Sequence, residues 1–326
     1  MDSNLDMIRQ NIQPEIDRLN ALISASLASG SPMMDSIVDE YLKTKGKQIR
    51  PILVILAAKM LGELNDRVIS AAAAIEMLHN ASLIHDDVVD ESQTRHSRPT
   101  INRVWDNHIA VLVGDFFVST ALDKAASTGD LRIINSIARL GKLLSLGEID
   151  QIYNARFHSI NEEASFGIIS RKTAALFISC VEMGAFAVGV DDSRLHALKR
   201  YAELLGLCFQ IKDDIFDYFT DDAIGKPTGN DLREGKMTLP LIYALALENH
   251  PDHQQMSELA ALSELDAEAI DRLINFAKDA GGIEYARATM KRLRDEAVDA
   301  LNTIPDPNGI APVFTTLIDY IIERTY

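Results

Sequence analysis

The sequence predicts an all-α protein, and three observations carry that prediction. Apolar residues recur at three- and four-residue intervals along most of the chain. The runs that carry them are rich in Ala, Leu, Ile, Glu and Lys. Segments that alternate apolar and polar residues, as a half-buried strand must, are scarce.

The runs and their punctuation give the elements in order. Ser31-Pro32, Arg50-Pro51, Asn65-Asp66, Arg98-Pro99, Ser127 to Asp130, Asp191 to Ser193 and Pro305 to Asn308 are caps and breaks. Between them lie long helical patterns, of which residues 65–92, 130–157 and 192–219 are the clearest. This spacing predicts about a dozen helices with short connections in one domain spanning residues 1–326. Residues 220–240, "TDDAIGKPTGNDLREGKMTLP", are polar and glycine-containing; they read as a surface loop between two helical blocks, of a length that is often functional.

Composition narrows the classes of partner. The 326 residues are 47% hydrophobic, enough for a large core. A net charge of −16 argues against nucleic acid and against a strongly anionic membrane surface, both of which call for a basic face. Cys180 and Cys208 lie in apolar helical runs and read as buried free thiols, because two cysteines in a large chain make no disulfide framework. The start, "MDSNLDMIRQ", lacks the cationic end and apolar stretch of a signal peptide. The longest apolar run, residues 174–190, is interrupted by Glu182 and two glycines and reads as a buried helix rather than a membrane span. The expectation is a soluble, cytoplasmic protein.

One stretch resists a purely structural reading. "LIHDDVVDESQTRH" places Asp86, Asp87, Asp90 and Glu91 directly after an apolar-patterned run. Adjacent carboxylates repel by about 1 kcal/mol in water and about four times that at a protein surface. The pattern also has a twin in "GLCFQIKDDIFDYF", where Asp213, Asp214 and Asp217 repeat the spacing of Asp86, Asp87 and Asp90. On a helix the first and last acids of each triplet lie about 40° apart, one turn from each other, so their oxygens can converge. A single copy reads equally well as a solvated face; two copies that both leave apolar helices do not. Oxygen ligands without His or Cys suit Mg²⁺, which typically takes one or two carboxylates and completes its shell from water and substrate phosphate. An EF-hand is excluded, since neither triplet has its central glycine or terminal glutamate. The eight histidines show no ligand spacing, and His85 reads as a packing residue or one behind the ligands.

A metal that bridges to phosphate calls for cations nearby. They occur in short contexts: Lys47 and Arg50 in "GKQIRP", Arg95 and His96 after the first triplet, Lys172 and Thr173 in "SRKTAALF", and Lys226 and Lys236 in "GKPTGNDLREGK". Each alone reads as a solvated charge.

Together, in this order, "GKQIRP", "EMLHNASLIHDDVVDESQTRHSRPT", "GDFF", "RKTAALF", "FQIKDDIFDYF" and "GKPTGNDLREGKMTLP" resemble the trans-prenyl diphosphate synthases, also called polyprenyl synthetases. The likeness runs from residue 46 to the carboxyl end. It implies an isoprenoid synthase-type helix bundle around a deep central cavity, acting as a homodimer. It also implies a reaction: isopentenyl diphosphate condenses with an allylic prenyl diphosphate, and diphosphate leaves. In the family pattern three Mg²⁺ ions, held by Asp86, Asp90 and Asp213, grip the allylic diphosphate. Asp87, Asp214 and Asp217 orient ligands and metal-bound water, and Arg95, Lys172 and Lys226 complete the clamp. Lys47, Arg50 and His79, with His96 and Lys236, match substrate-binding positions, Lys47, Arg50 and His79 being those of the isopentenyl diphosphate site. Thr173 and Gln210 match positions whose oxygens face the allylic cation.

One departure stands out. Where the family has two arginines and a glycine after its first aspartate motif, this chain has Arg95, His96 and Ser97. Histidine lacks a permanent, forked cation. Isopentenyl diphosphate is therefore expected to bind more weakly here, and His96→Arg to lower its KM; an unchanged or higher KM defeats that expectation.

In the family, the turn before the first aspartate forms the floor beneath the growing product. Here it holds Ala81 and Ser82, both small, and helix geometry turns Ser82 toward the face of Asp86 but not Ala81. Small residues also serve close helix packing. The resemblance then implies a long product, hexaprenyl to decaprenyl; Met77, Leu112, Phe116 and Phe117, bulky residues near the motif, are candidates for a deeper floor. Three alternatives remain open. They are a short-chain synthase making farnesyl or geranylgeranyl diphosphate, a terpene cyclase, and a non-catalytic partner subunit of a heteromeric synthase. The full second triplet disfavours the cyclase, whose second site usually has an Asn/Ser/Glu pattern.

Overall fold

A computed structural model of the chain describes residues 3–43, 46–95, 98–157, 161–219, 228–262 and 264–324. Among the described residues are seventeen α-helices and a single two-stranded ladder. The chain begins with α1 (Ser3–Gln10), α2 (Gln13–Leu27), α3 (Pro32–Leu42), α4 (Ile49–Leu61) and α5 (Asp66–Val89). A hairpin of β1 (Thr94–Arg95) and β2 (Arg98–Pro99) pairs Thr94 with Pro99 and leads to α6 (Ile101–Val104), α7 (Asn107–Ser127) and α8 (Leu131–Phe157). Then follow α9 (Glu162–Ile169), a π-helical turn at Ser170–Ala174, α10 (Ala175–Ala187), a 3-10 turn at Asp192–Arg194 and α11 (His196–Phe216). The last six are α12 (Asn230–Arg233), α13 (Leu239–Leu245), α14 (His253–Ala260), α15 (Ala267–Asp279), α16 (Gly282–Leu301) and α17 (Ala311–Glu323). The all-α prediction holds; the helix count exceeds a dozen because short pieces such as α6 and α12 carry too few residues to show a period.

Two compact units emerge. The first comprises Met1–Lys142, Leu176–Lys199 and Leu301–Leu317; the second comprises Leu143–Ala175, Arg200–Ala300 and Ile318–Tyr326.

In the first unit the middle of α5 is apolar and buried, with Ala71 to Ala74, Ile75 and Met77 at 0% exposure. It packs on α2, α4 and α7. Asn65 starts it by accepting from the backbone N–H of Arg67 (2.9 Å) and Val68 (3.3 Å), two of the donors a helix start leaves without partners. Pro51 falls in the first turn of α4, where its missing N–H removes no helical hydrogen bond. The apolar run predicted as a buried helix is one: Phe177, Cys180, Val181 and Met183 are all at 0% exposure. By length and composition the helical stretch Glu162–Ala187 could cross a membrane, yet half of its most apolar window is buried in the fold. Its one acid within the run, Glu182, is 2% exposed and pairs with Lys199 (2.8 Å) and Arg139. Both cysteines are free and buried; burial pushes the Cys208 thiol up to about 12 and that of Cys180 higher still.

The second unit is organised around the π-helical turn, a wider turn that leaves the α-helical register and is frequent at functional sites. Two glycines clasp it. A Cβ on Gly206 of α11 would lie 2.5 Å from the Ala174 Cα, and one on Gly147 of α8 would lie 3.1 Å from the Lys172 nitrogen.

Residues 228–240 of the predicted surface loop include α12 and the start of α13; residues 220–227, with Lys226, lie outside the described residues. His96 and Ser97 lie outside them too.

Candidate active site

Both acid triplets straddle the carboxyl end of a helix. Helix α5 ends at Val89 and α11 at Phe216, so Asp90 and Asp217 are the first residues past their helices. Unsatisfied carbonyls make a helix end the negative pole of its dipole, the position at which carboxylates destabilise most. Uncompensated carboxylates set there oppose fold stability; a cation bound at each end reverses the sign.

In the first unit Asp86 is half-buried, Asp87 is 5% exposed and Asp90 is exposed. The hairpin returns Arg95 onto Asp87, whose Oδ1 accepts from Nε (2.9 Å) and lies 2.8 Å from Nη2. Asn102 secures this return by donating to the carbonyls of Asp87 (3.2 Å) and Ser92 (3.1 Å). Asp87 therefore orients an arginine. Burial, with the positive charges of Arg50 and Arg95, holds the His79 imidazole well below its ordinary value, so the ring is neutral at pH 7. Arg50 lies over the Phe177 ring at 5.8 Å. Lys47 and Arg50 are set by the residue between them that sequence reasoning passed over: Gln48, at φ 51°, donates to Asn20 Oδ1 (3.0 Å) and accepts from Arg9 (3.4 Å). Arg9 also donates to the Lys47 carbonyl (3.4 Å). Burial raises the carboxyl of Glu76 against the opposing charge of Arg50.

Ala81 is fully buried, while Ser82 is half-buried and donates to the His79 carbonyl (2.8 Å). Met77 and Phe117 are buried and Phe116 is half-buried. Leu112 is a correction: at 60% exposure it lies on the outer face of α7 and cannot line the inside of this unit. His85 packs as expected, over Gly114, where a Cβ would come 2.2 Å from the ring. That contact is the reason for the glycine of "GDFF".

In the second unit Lys172, on the π-helical turn, pairs with Glu148 and donates to Gln151 Oε1 (3.3 Å). The next residue, Thr173, donates to Gln210 Oε1 (2.8 Å), and Gln210 donates to Asp214 Oδ1 (2.9 Å). The Gln210 oxygen expected to face a cation thus accepts from the threonine. Asp214 is 6% exposed, and burial together with Asp231 raises its carboxyl far above the usual range. Burial and the neighbouring Asp217 push Asp231 up to about 7. Asp217 caps α12, accepting from the backbone N–H of Asn230 and of Asp231 at 3.0 Å each. Lys236 pairs with Glu234 and favours the charged form of Asp231. Asp213, 40% exposed, accepts from Arg324 (2.6 Å).

Glu148, Gln151, Asp231 and Arg324 were missed in the sequence. Glu148 and Gln151 leave a weak signal, two polar residues three apart in an amphipathic run; Arg324 leaves none. The donors fit Mg²⁺. Asp213, Asp217 and Asp231 raise the carboxyl of Asp214, and Asp213 and Asp217 raise that of Asp231, an excess of negative oxygen that a divalent cation would neutralise. Among the described residues no three His, Cys, Asp or Glu side chains converge on a preformed metal centre. That suits an ion which takes part of its shell from water and substrate.

A polyprenyl synthetase family model matches residues 31–277, drawing on both units. The chain is 34% identical to an octaprenyl diphosphate synthase of Haemophilus influenzae, over 99% of this chain and 98% of that one. Among solved structures it is similar to a polyprenyl synthase of Caulobacter crescentus complexed with calcium and isoprenyl diphosphate. That match has a TM-score of 0.90 and 31% identity, over 99% of this chain and 98% of the other. It is also similar to a geranylgeranyl pyrophosphate synthase of Bacteroides thetaiotaomicron, with a TM-score of 0.84 and 37% identity over 99% of this chain and 100% of that one.

Proposed function

The chain belongs to the polyprenyl synthetase family of prenyltransferases, and from that premise we infer that it condenses isopentenyl diphosphate with an allylic prenyl diphosphate to build a hexaprenyl to decaprenyl diphosphate. The observation that carries this reading is the pair of aspartate triplets at the negative ends of buried helices, each with cationic side chains beside it.

The residues then take these roles. Lys47 and Arg50, held by Gln48 and Arg9, bind the diphosphate of isopentenyl diphosphate. Neutral His79 donates a hydrogen bond to it, and His96 and Lys236 add further donors. Arg95, oriented by Asp87, binds the allylic diphosphate, as do Lys172, oriented by Glu148 and Gln151, and Lys226. Asp86, Asp90 and Asp213 are the ligands proposed for Mg²⁺, three ions in this reading, whose charge stabilises diphosphate as it departs. The bond from the allylic carbon to the diphosphate oxygen breaks, and the isopentenyl double bond attacks the cation. The proton lost next passes to the released diphosphate, so no protein base is required. The Thr173–Gln210–Asp214 chain holds its oxygens in fixed positions beside Lys172. The apolar helices exclude the water that would quench the cation.

Incubation of the purified protein with radiolabelled isopentenyl diphosphate, Mg²⁺ and farnesyl diphosphate tests the reading, with chromatography of the dephosphorylated alcohols. Light scattering on the same sample tests the homodimer, for which the exposed Val111, Leu112 and Leu122 of α7 offer an apolar stripe. A C30 to C50 alcohol from a dimer supports the proposal. Alcohols of C20 or less give the short-chain alternative, and no turnover gives the non-catalytic partner.

Product length carries its own prediction. A phenylalanine adds roughly 100 Å³ over Ala81 or Ser82. Ala81→Phe and Ser82→Phe are expected to shorten the principal product by several C5 units, with Ser82→Phe the stronger because Ser82 is the less buried of the two. An unchanged distribution from both variants removes this turn as the floor.

A further inference from the structure

The carboxyl-terminal arginine is tied to the second aspartate triplet. Arg324 follows α17, its N–H donating to the Tyr320 carbonyl (2.9 Å), and its side chain is 8% exposed. The guanidinium lies 4.2 Å over the Phe209 ring and 5.5 Å from the Phe216 centroid. Nη2 donates to the Phe209 carbonyl (3.1 Å) and to Asp213 Oδ1 (2.6 Å), while the buried Nε makes no hydrogen bond. Burying an arginine costs stability unless its charge is answered, and here one carboxylate answers it. A residue serving only to anchor α17 would need the stack on Phe209 and its carbonyl. The bond to Asp213 goes further, because it fixes the carboxylate of a side chain that stays 40% exposed.

Asp213 also sits in a crowd. Asp214, Asp217 and Asp231 belong to the same acid cluster, and Lys236 pairs with Glu234 at its edge. A carboxylate 40% exposed that nothing holds samples several rotamers. A guanidinium held over the Phe209 ring and near Phe216 supplies a rigid tether on one oxygen.

We propose that Arg324 is a positioning residue for the second metal site, holding the Asp213 carboxylate in its ligating orientation before the ion arrives and so coupling the chain's last turn to metal affinity. This rests on Asp213 being a metal ligand, as the functional reading has it. Hydrogen-bond partners behind metal ligands typically contribute 10- to 100-fold in affinity.

The test is calorimetric titration of the full-length protein with Mg²⁺ and inorganic diphosphate, which reads metal binding without turnover. Arg324→Met is expected to weaken Mg²⁺ binding by about 10- to 100-fold. Arg324→Lys should recover only part of it, since lysine keeps the charge but not the fork. The circular-dichroism melt of Arg324→Lys, expected within a few degrees of the parent, shows that the partial loss does not come from unfolding. Equal affinity in Arg324→Met and parent, with Asp213→Asn much weaker, overturns the proposal and leaves the functional reading intact. If Asp213→Asn binds as well as the parent, the metal assignment fails, and this inference fails with it.

Discussion

Asp86→Asn is expected to lower kcat by at least about 10³-fold while the melting temperature stays level or rises. The loss corresponds to about 4 kcal/mol of transition-state stabilisation, the scale on which metals act at a departing diphosphate. The stability gain follows from the position of the residue. Asp86 lies in the last turn of α5, beside Asp87 and one turn from Asp90, at the negative pole of the helix. Removing one charge there relieves repulsion and a dipole penalty of about 0.3–1 kcal/mol, which offsets the lost attraction to Arg95. A cluster whose neutralisation stabilises the fold and abolishes activity is kept for its ligand, not its packing. Steady-state assay beside thermal melting checks both arms. An Asp86→Asn enzyme with a tenth or more of the parent kcat, or one that melts well below the parent, counts against the assignment.

Asp87 shows why its neighbour is not interchangeable. Its oxygen holds Arg95 at 2.8–2.9 Å in a position 5% exposed, so a neutral amide there leaves a half-buried arginine without its charged partner. Loss of stability, rather than its gain, separates the inner acid of the triplet from the outer ones.

The parts of the fold legible in the sequence were those set by long periodic runs. Helices α5, α8 and α11 fall within a few residues of the runs 65–92, 130–157 and 192–219, because each carries enough turns for apolar spacing to outweigh local noise. The acid triplets and the order of motifs placed the candidate site for the same reason: repeated charge at a fixed spacing is visible in one dimension. What stayed hidden was set by contacts distant in sequence. Gln48 depends on Asn20 and Arg9, and Arg324 reaches back 111 residues to Asp213. The π-helical turn at Ser170–Ala174 leaves no periodic signature, since one extra residue in a turn shifts the register by less than a short run can reveal. Asp217 matched the triplet spacing, yet both of its oxygens are engaged by the start of α12, because a helix beginning thirteen residues later folds back on it. Leu112 was placed by its bulk near the motif, and bulk does not say which face of α7 it is on.

The second large effect is expected from a residue that touches no substrate. Gly206 stands where α11 crosses the π-helical turn, and a Cβ there would come within 2.5 Å of the Ala174 Cα and 3.2 Å of its nitrogen. Both are backbone atoms, so no side chain can swing aside; either α11 or the turn must move. Overpacking of this kind costs about 1–3 kcal/mol, and alanine's advantage over glycine in a helix returns up to about 1 kcal/mol of it. The melting temperature of Gly206→Ala should therefore fall by only a few degrees. Its activity should fall much further, because Lys172 and Thr173 immediately precede Ala174 and share the turn. Displacing a positioned group by about 1 Å costs on the order of 10²-fold in rate. Gly141 of α8 is the control: no atom lies within 4 Å of a Cβ there, so Gly141→Ala gains the helical advantage and should keep the parent's kcat. A Gly206→Ala enzyme as active as the Gly141→Ala enzyme would mean that α11 yields without disturbing the turn, and the clasp would then hold the fold without aiming the lysine.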